Sequence, residues 1–342
     1  MDRLAAFIAA LALLAGAPAF AQDRAFDGLR VSFGNLHAHS KLSDDVSGTS
    51  TKMRPVDGFK TAHTAGLDFI AITDHHKAVD SNHRLYLEPD EYKEQLYDAA
   101  MAYNGANAGK FVAIPGLEWG NTATGNHVNL LGARELPPDG IRDRDYDELY
   151  DWAKSHCEFV QFNHPYSWAG ESHRDKTVGN FGAALYSSEG AFVESVGPVA
   201  KTISIISSVA GGHISGAHRH SMEKTHRATH PKGFAQYLDH LNAGFHLSPA
   251  ANQDTHWKNF GSVTAARTAV WSSELTYASL MEGFTKNRVY ATEDDEMAVA
   301  FQVKYKGATH WMGEQIALDS DEADITALVR IWQVTGSDGD GT

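Results

Sequence analysis

Histidine and carboxylate side chains recur in this chain where apolar runs end. Leu29–Leu36 leads into His37-Ala38-His39, and Phe69–Thr73 into Asp74-His75-His76. Lys110–Leu117 leads into Glu118, Phe159–Phe162 into Asn163-His164-Pro165, and Phe245–Gln253 into Asp254-Thr255-His256. One His-x-His pair means little, because such pairs are common on surfaces and in cores. Five run ends of this kind in one chain are hard to obtain by chance. Imidazole and carboxylate suit Zn, Mn or Fe, whereas thiolate selects softer ions. The single cysteine, Cys157, and the lack of any Cys-x-x-Cys argue against thiol ligation. Residues i and i+2 of a strand share a face. His37 with His39, and Asp254 with His256, can therefore each present two ligands together. Asp44 follows His39 closely enough to loop back. One ion takes about four to six ligands, so nine candidates converging on one mouth imply two or three divalent ions.

The elements between these residues must bring them together. Strand-like runs are Leu29–Leu36, Phe69–Thr73, Lys110–Leu117, His127–Leu131, Phe159–Phe162, Thr202–Val209 and Phe245–Asn252. Helical patterns fall over Pro55–Ala65 (with Pro at its start and Gly66 after it), Glu88–Tyr103, Tyr146–His156, Lys232–Asn242 and Leu275–Asn287. This βα rhythm indicates a parallel sheet or an α/β barrel. The carboxyl ends of barrel strands gather at one mouth, where active sites form. Ser167–Lys201 and Gly211–Thr229 fit the rhythm poorly and read as long loops over one end; the second carries four histidines. From Met297 the pattern changes to half-buried strands, Met297–Tyr305 and Ile325–Val334, with no helix between. Residues 297–342 thus form a small β appendage. It is too small to stand alone, so it packs on the barrel or belongs to a longer form.

Composition narrows the function classes. The chain has 342 residues, 42% hydrophobic and 21% charged, which is ample for one large core. Its formal charge of −14 gives it no general pull toward nucleic acid or an anionic membrane. Duplex nucleic acid is not an expected partner. Histidine stands out, with 19 copies. Residues 1–21 read as a signal peptide: Arg3, an apolar run from Leu4 to Gly16, then Ala19-Phe20-Ala21 before cleavage after Ala21. The run is shorter than the ~18 residues of a membrane span. The expectation is a secreted or periplasmic protein with no span after cleavage. The oligomeric state is not readable.

Taken in order, Leu36-His37-Ala38-His39 with Ser43-Asp44, Ile72-Thr73-Asp74-His75, Pro115-Gly116-Leu117-Glu118, Asn163-His164-Pro165 and Asp254-Thr255-His256 resemble the PHP (polymerase and histidinol phosphatase) superfamily. The likeness covers residues 33–256. Arg288-Val289-Tyr290-Ala291-Thr292 and the β segment after it are similar to an exported, carbaryl hydrolase-like branch. The resemblance implies a distorted (β/α)7 TIM-like barrel over residues 26–296 with a trinuclear site. By that likeness one ion takes His37, His39, Glu118 and Asp254. A second shares Glu118 and adds His127 and His164. A third takes Asp44, His75 and His256. His127 starts its strand instead of ending it, and Asp45 competes with Asp44, because Ser-Asp-Asp stands where the family has Ser-Asp-Gly.

The chemistry expected of such a site is hydrolysis. Divalent cations lower the pKa of water, so a hydroxide bridging two ions is available near neutral pH. It attacks phosphorus in line, or a carbonyl carbon. His76, beside His75, is a general-acid candidate or a support for its neighbour. Arg219, flanked by His218 and His220, is a phosphate clamp or a solvated loop charge. Three functions fit: a phosphoesterase acting on small mono- or diesters, a hydrolase of carbamates, amides or carboxylic esters, and a non-catalytic metal-binding module. The first is preferred.

Overall fold

The computed structural model describes residues 24–43, 53–76, 78–80, 83–85, 87–121, 126–138, 141, 146–163, 200–207, 237–238, 240–242, 244–262, 264–320 and 323–334. The N-terminal apolar run, nearly all of the segment from Ser167 to Lys201, all of the segment from Gly211 to Thr229 and the beginning of the helix expected over Lys232–Asn242 lie outside these residues. Chain entry is a short strand, β1 (Ala25–Phe26), antiparallel to β2 (Leu29–Asn35).

Seven strands of the described residues wrap into a nearly closed barrel. They are β2, β3 (Phe69–His76), β6 (Val112–Asn121), β7 (Asn126–Leu131), β8 (Phe159–Phe162), β9 (Ala200–Ser207) and β10 (Ser248–Asn252). A small hairpin, β4 (Ala78–Asp80) with β5 (His83–Leu85), follows β3. The strand between β1 and α1 is buried on both faces towards its end, as is β3. Such strands read as continuous apolar runs and not as alternation. Helix α1 (Pro55–Thr64) starts on the proline that pre-sets its first turn, and Gly66 at φ +85° ends it. It buries Pro55, Gly58, Phe59 and Ala62, one stripe at helical spacing. Helix α2 (Pro89–Glu91) passes through a π-helical stretch, Tyr92–Tyr97, into α3 (Asp98–Ala106). Helix α4 (Tyr146–His156) precedes β8.

One strand breaks the parallel rhythm read from the sequence. β7 runs antiparallel to both β6 and β8. The physical reason is the connection: only residues 122–125 separate β6 from β7, and a parallel crossover needs about a dozen. The reversal decides where His127 sits. The start of an antiparallel strand lies at the end of its partner, so His127 faces Gly120 at the mouth.

The barrel closes between its first and last strands. Beyond β2, Ala38 bridges Thr255 in parallel fashion. His39 N–H donates to Thr255 O at 2.9 Å, and Asp254 N–H to His37 O at 2.9 Å. On the other side, Thr73 N–H donates to Ala38 O at 2.8 Å. Residues 37–39 thus form the seam. Away from the mouth, β11 (Arg267–Ser272) lies antiparallel along β2, and Thr268 Oγ1 accepts the Ala251 N–H at 3.0 Å. Helix α5 (Tyr277–Thr285), N-capped by Thr276, leads to β12 (Val289–Thr292) beside β11.

The C-terminal sheet has three strands, in the order β14 (Ala308–Trp311), β13 (Met297–Tyr305), β15 (Ile325–Gln333). Its inner side packs on the outside of β2 and β11 through Val31, Phe33, Ala269, Trp271, Ala298 and Ala300. Trp271 Nε1–H donates to Val299 O at 2.9 Å. Phe26 meets Trp311 and Trp332 at 5.7 and 5.9 Å between rings. The outer side leaves Phe301, Val329 and Ile331 exposed. Among the described residues, no helix is long and apolar enough to cross a membrane.

Candidate metal centre

Seven of the residues singled out in the sequence meet at the barrel mouth: His37, His39, His75, Glu118, His127, Asp254 and His256. They form three overlapping groups whose ligand atoms lie within 4.8 Å of one another: His37, His39, Glu118 and Asp254; His75, Glu118 and His127; His39, His75 and His256. Asp44, Asp45, His164, Arg219 and His220 lie outside the described residues. His76 is buried and falls in none of the three groups. Alternation along β3 turns it away from the face that carries His75.

Glu118 is the hinge of the arrangement. Its Oε1 lies 3.1 Å from His37 Nε2 and 2.9 Å from His127 Nδ1. Its Oε2 lies 3.4 Å from His39 Nε2 and 3.2 Å from His75 Nδ1. Asp254 Oδ1 sits 3.2 Å from His37 Nε2 and 2.9 Å from His39 Nε2. His256 stacks on His39 with ring centres 4.1 Å apart. The Asp254–His256 pair does not come from strand alternation, as the sequence suggests. Asp254 has φ +45°, so a left-handed residue turns its carboxylate inward. Aspartate tolerates that region better than most residues, and strained backbone gathers at functional sites.

The electrostatics are those of a compressed polar cluster. Burial pushes Asp254 up, but His37, His39 and His256 outweigh it and hold the carboxyl well below the usual range. Burial likewise raises Glu118, and His127, His37 and His75 reverse the shift and bring it well down. His39 is lowered to about 3 by burial and by the neighbouring His256 and His75. His37 goes the other way: burial lowers it, while Asp254 and Glu118 raise it overall.

Hydrogen-bond accounting settles the proton on His39. The Asp74 carboxylate accepts from Ser40 N–H at 2.6 Å, Ser40 Oγ–H at 2.7 Å and Ser43 Oγ–H at 2.8 Å. Burial raises the Asp74 pKa, and these donors oppose the rise. Ser43 has spent its only proton on Asp74, and its oxygen accepts His75 N–H at 3.0 Å. The remaining neighbour, His39 Nδ1 at 2.9 Å, must donate. His39 Nε2 therefore carries a lone pair, aimed at Asp254 and Glu118. The same atom lies 3.2 Å from His37 Nε2, and imidazole nitrogens and carboxylate oxygens gathered this closely suit a cation between them. The donor set thus fits a divalent ion, and fits borderline N/O-binding metals in particular.

Sequence reasoning passed over the residues that support this cluster. Asp74 and Ser43 sat inside quoted motifs without a role. Asn129, Gln161 and Asn252 have no role there either, although each is an amide next to an apolar residue in a barrel strand. That placement was the available signal, because a buried amide must find partners.

No protein-family model and no curated protein matches the sequence. Solved structures do. A two-domain protein from Bacteroides vulgatus containing a predicted PHP-like metal-dependent phosphoesterase is 16% identical, with 95% of this chain and 92% of that chain covered and a TM-score of 0.50. PsfC from Pseudomonas syringae is 11% identical over 77% of this chain and 91% of that one, with a TM-score of 0.39. The lesion-specific endonuclease PfuEndoQ from Pyrococcus furiosus is 12% identical over 75% and 56%, with a TM-score of 0.36. At these identities the likeness is one of fold, and with the Bacteroides vulgatus protein it extends over nearly the whole length of both chains.

Proposed function

We propose that the chain is an exported metal-dependent hydrolase of the PHP superfamily that cleaves small phosphate mono- or diesters. The observation that carries the reading is the placement of Glu118, whose two oxygens face different histidine groups at 2.9–3.4 Å. A carboxylate so placed is suited to join two ions. His37, His39, Glu118 and Asp254 would hold one; His127 and Glu118, with His164, a second; His75 and His256, with Asp44, a third. His39 supports only one of these sites, because Ser43 occupies its Nδ1. When bound, divalent ions supply a nucleophile from water near neutral pH and neutralise charge on the substrate's oxygens. The chain's own residues hold the ligands in register at the seam and keep the lone pair of His39 turned inward. Arg219 is the proposed clamp for a phosphate group, and the N-terminal apolar run the proposed export signal.

Purified protein is expected to carry more than one equivalent of Mn, Fe or Zn. It is expected to hydrolyse bis(p-nitrophenyl) phosphate or p-nitrophenyl phosphate. Metal analysis below one equivalent would sink the multinuclear assignment. Turnover of 1-naphthyl carbamates alone would replace the phosphate ester with a carbonyl substrate.

A further inference from the structure

Beneath the ligand cluster the barrel interior is polar. Barrel cores of this type are ordinarily layered with branched aliphatic side chains. Here four amides, all 0–1% exposed, occupy that layer: Asn129, Gln161, Asn163 and Asn252. They are joined head to tail. Asn252 Nδ2–H donates to Gln161 Oε1 at 3.1 Å, and Gln161 Nε2–H donates to Asn163 Oδ1 at 2.9 Å. Asn163 Nδ2–H donates to Asn129 Oδ1 at 2.6 Å, and Asn129 Nδ2–H to Leu36 O at 2.9 Å. Leu36 N–H then donates to Asn252 Oδ1 at 2.7 Å, which closes the ring.

The ring has a direction, and the main chain sets it. A side-chain amide can be turned over to exchange its oxygen and nitrogen; a peptide cannot. Leu36 offers a carbonyl that only accepts and an N–H that only donates. Each amide must follow in the same sense, since reversing one would set oxygen against oxygen at its neighbour. Thr202 Oγ1–H adds a second donor to Gln161 Oε1, at 3.2 Å. Each amide gives one N–H to the ring and keeps a second. The second Nδ2–H of Asn163 points to Glu118 Oε1, at 2.9 Å.

We infer that Asn163 is a positioning residue for Glu118, and that the amide ring exists to keep its N–H, and never its carbonyl, towards that carboxylate. The donor holds the Glu118 carboxylate in the plane where Oε1 faces His37 and His127 while Oε2 faces His39 and His75. Hydrogen bonds in a closed chain polarise one another, so loss of a distant member weakens the donor as well. Partners of this kind commonly change metal affinity by about 10–100-fold. The inference rests on the metal-binding reading above.

The experiment is titration of chelator-stripped full chain with Mn2+, Zn2+ and Co2+, following heat and the visible Co2+ spectrum. Thermal melts of the metal-free proteins run alongside. Asn163→Leu removes the donor at similar volume. Gln161→Met breaks the ring without touching any proposed ligand. Asn163→Leu is expected to weaken the Glu118-dependent binding by about 10–100-fold and to alter the Co2+ band shape. Gln161→Met is expected to weaken it less, in the same direction. A folded Asn163→Leu variant with wild-type affinity and Co2+ spectrum overturns the inference. Should that variant not fold, wild-type binding by Gln161→Met overturns it equally. A merely structural role would lower the melting temperature and leave the Co2+ spectrum unchanged, which also counts against it. If the wild-type chain itself binds none of the three metals, the metal reading falls and takes this inference with it.

Discussion

Two acceptors, Asp74 and the Ser43 oxygen, decide which nitrogen of His39 is free. Ser43→Ala removes the partner of His39 Nδ1 and lets the ring turn or change tautomer. Metal affinity is expected to fall by about 10–100-fold while the fold survives, as calorimetric titration with Zn2+ would register. Glu118→Gln is a harsher change. It keeps the shape but replaces one oxygen with a donor amide, which must face either the His37–His127 side or the His39–His75 side. Metal analysis of this variant is expected to show at least one equivalent fewer than wild type, with phosphodiesterase activity lost. Retention of the full complement would show that Glu118 joins nothing.

At the level of elements, close approach and capping dominate. A Cβ on Gly34 would collide with the Phe69 carbonyl oxygen and ring, where β2 pairs with β3. Gly34→Ala is therefore expected to destabilise by about 1–3 kcal/mol, read as a lower urea midpoint. Thr276 accepts the Ser279 N–H at the start of α5, at 3.3 Å. Thr276→Ala is expected to cost about 1 kcal/mol by the same measurement. The sequence made much of this scale legible. Pro55 and Gly66 bracket α1 because each has a backbone preference that needs no tertiary context. Strands buried on both faces stood out as continuous apolar runs. The reversal of β7 is legible only in the shortness of the link 122–125. β11 and β12 do not stand out as strands, because β11 takes its register from β2 and β12 from β11, not from local pattern. The same division holds for the site. Polar groups at the ends of apolar runs are conspicuous. The amides below them are not, because their meaning lies in partners on four different segments of chain. Asp254 reaches the cluster through a left-handed turn and not through strand alternation, and such a turn has no one-dimensional signature.

For the molecule as a whole, the C-terminal sheet and the mouth share a strand. β2 carries Val31 and Phe33 against the appended sheet, and the chain runs on from it into His37 and His39. Trp271 anchors the same interface and is fully buried. Trp271→Ala is expected to cost about 3–5 kcal/mol, visible as a lower melting temperature. Metal binding to the folded chain alone raises stability with free metal concentration. Chelation should therefore lower the melting temperature of the wild type more than that of Glu118→Gln.

The seam at Ala38 and Thr255 also sets an order of events. It joins the beginning of the chain to a segment more than two hundred residues later, as the 215-residue separation of His39 from Asp254 shows. Contacts so far apart in sequence are slow to form, because the intervening chain must first be ordered. His37 and His39 leave the ribosome early and Glu118 follows, but their second carboxylate partner, Asp254, arrives only after most of the barrel has been made. The complete cluster is thus among the last features to assemble. An ion captured earlier would lack the Asp254 carboxylate and stay free to exchange until that last barrel strand docks.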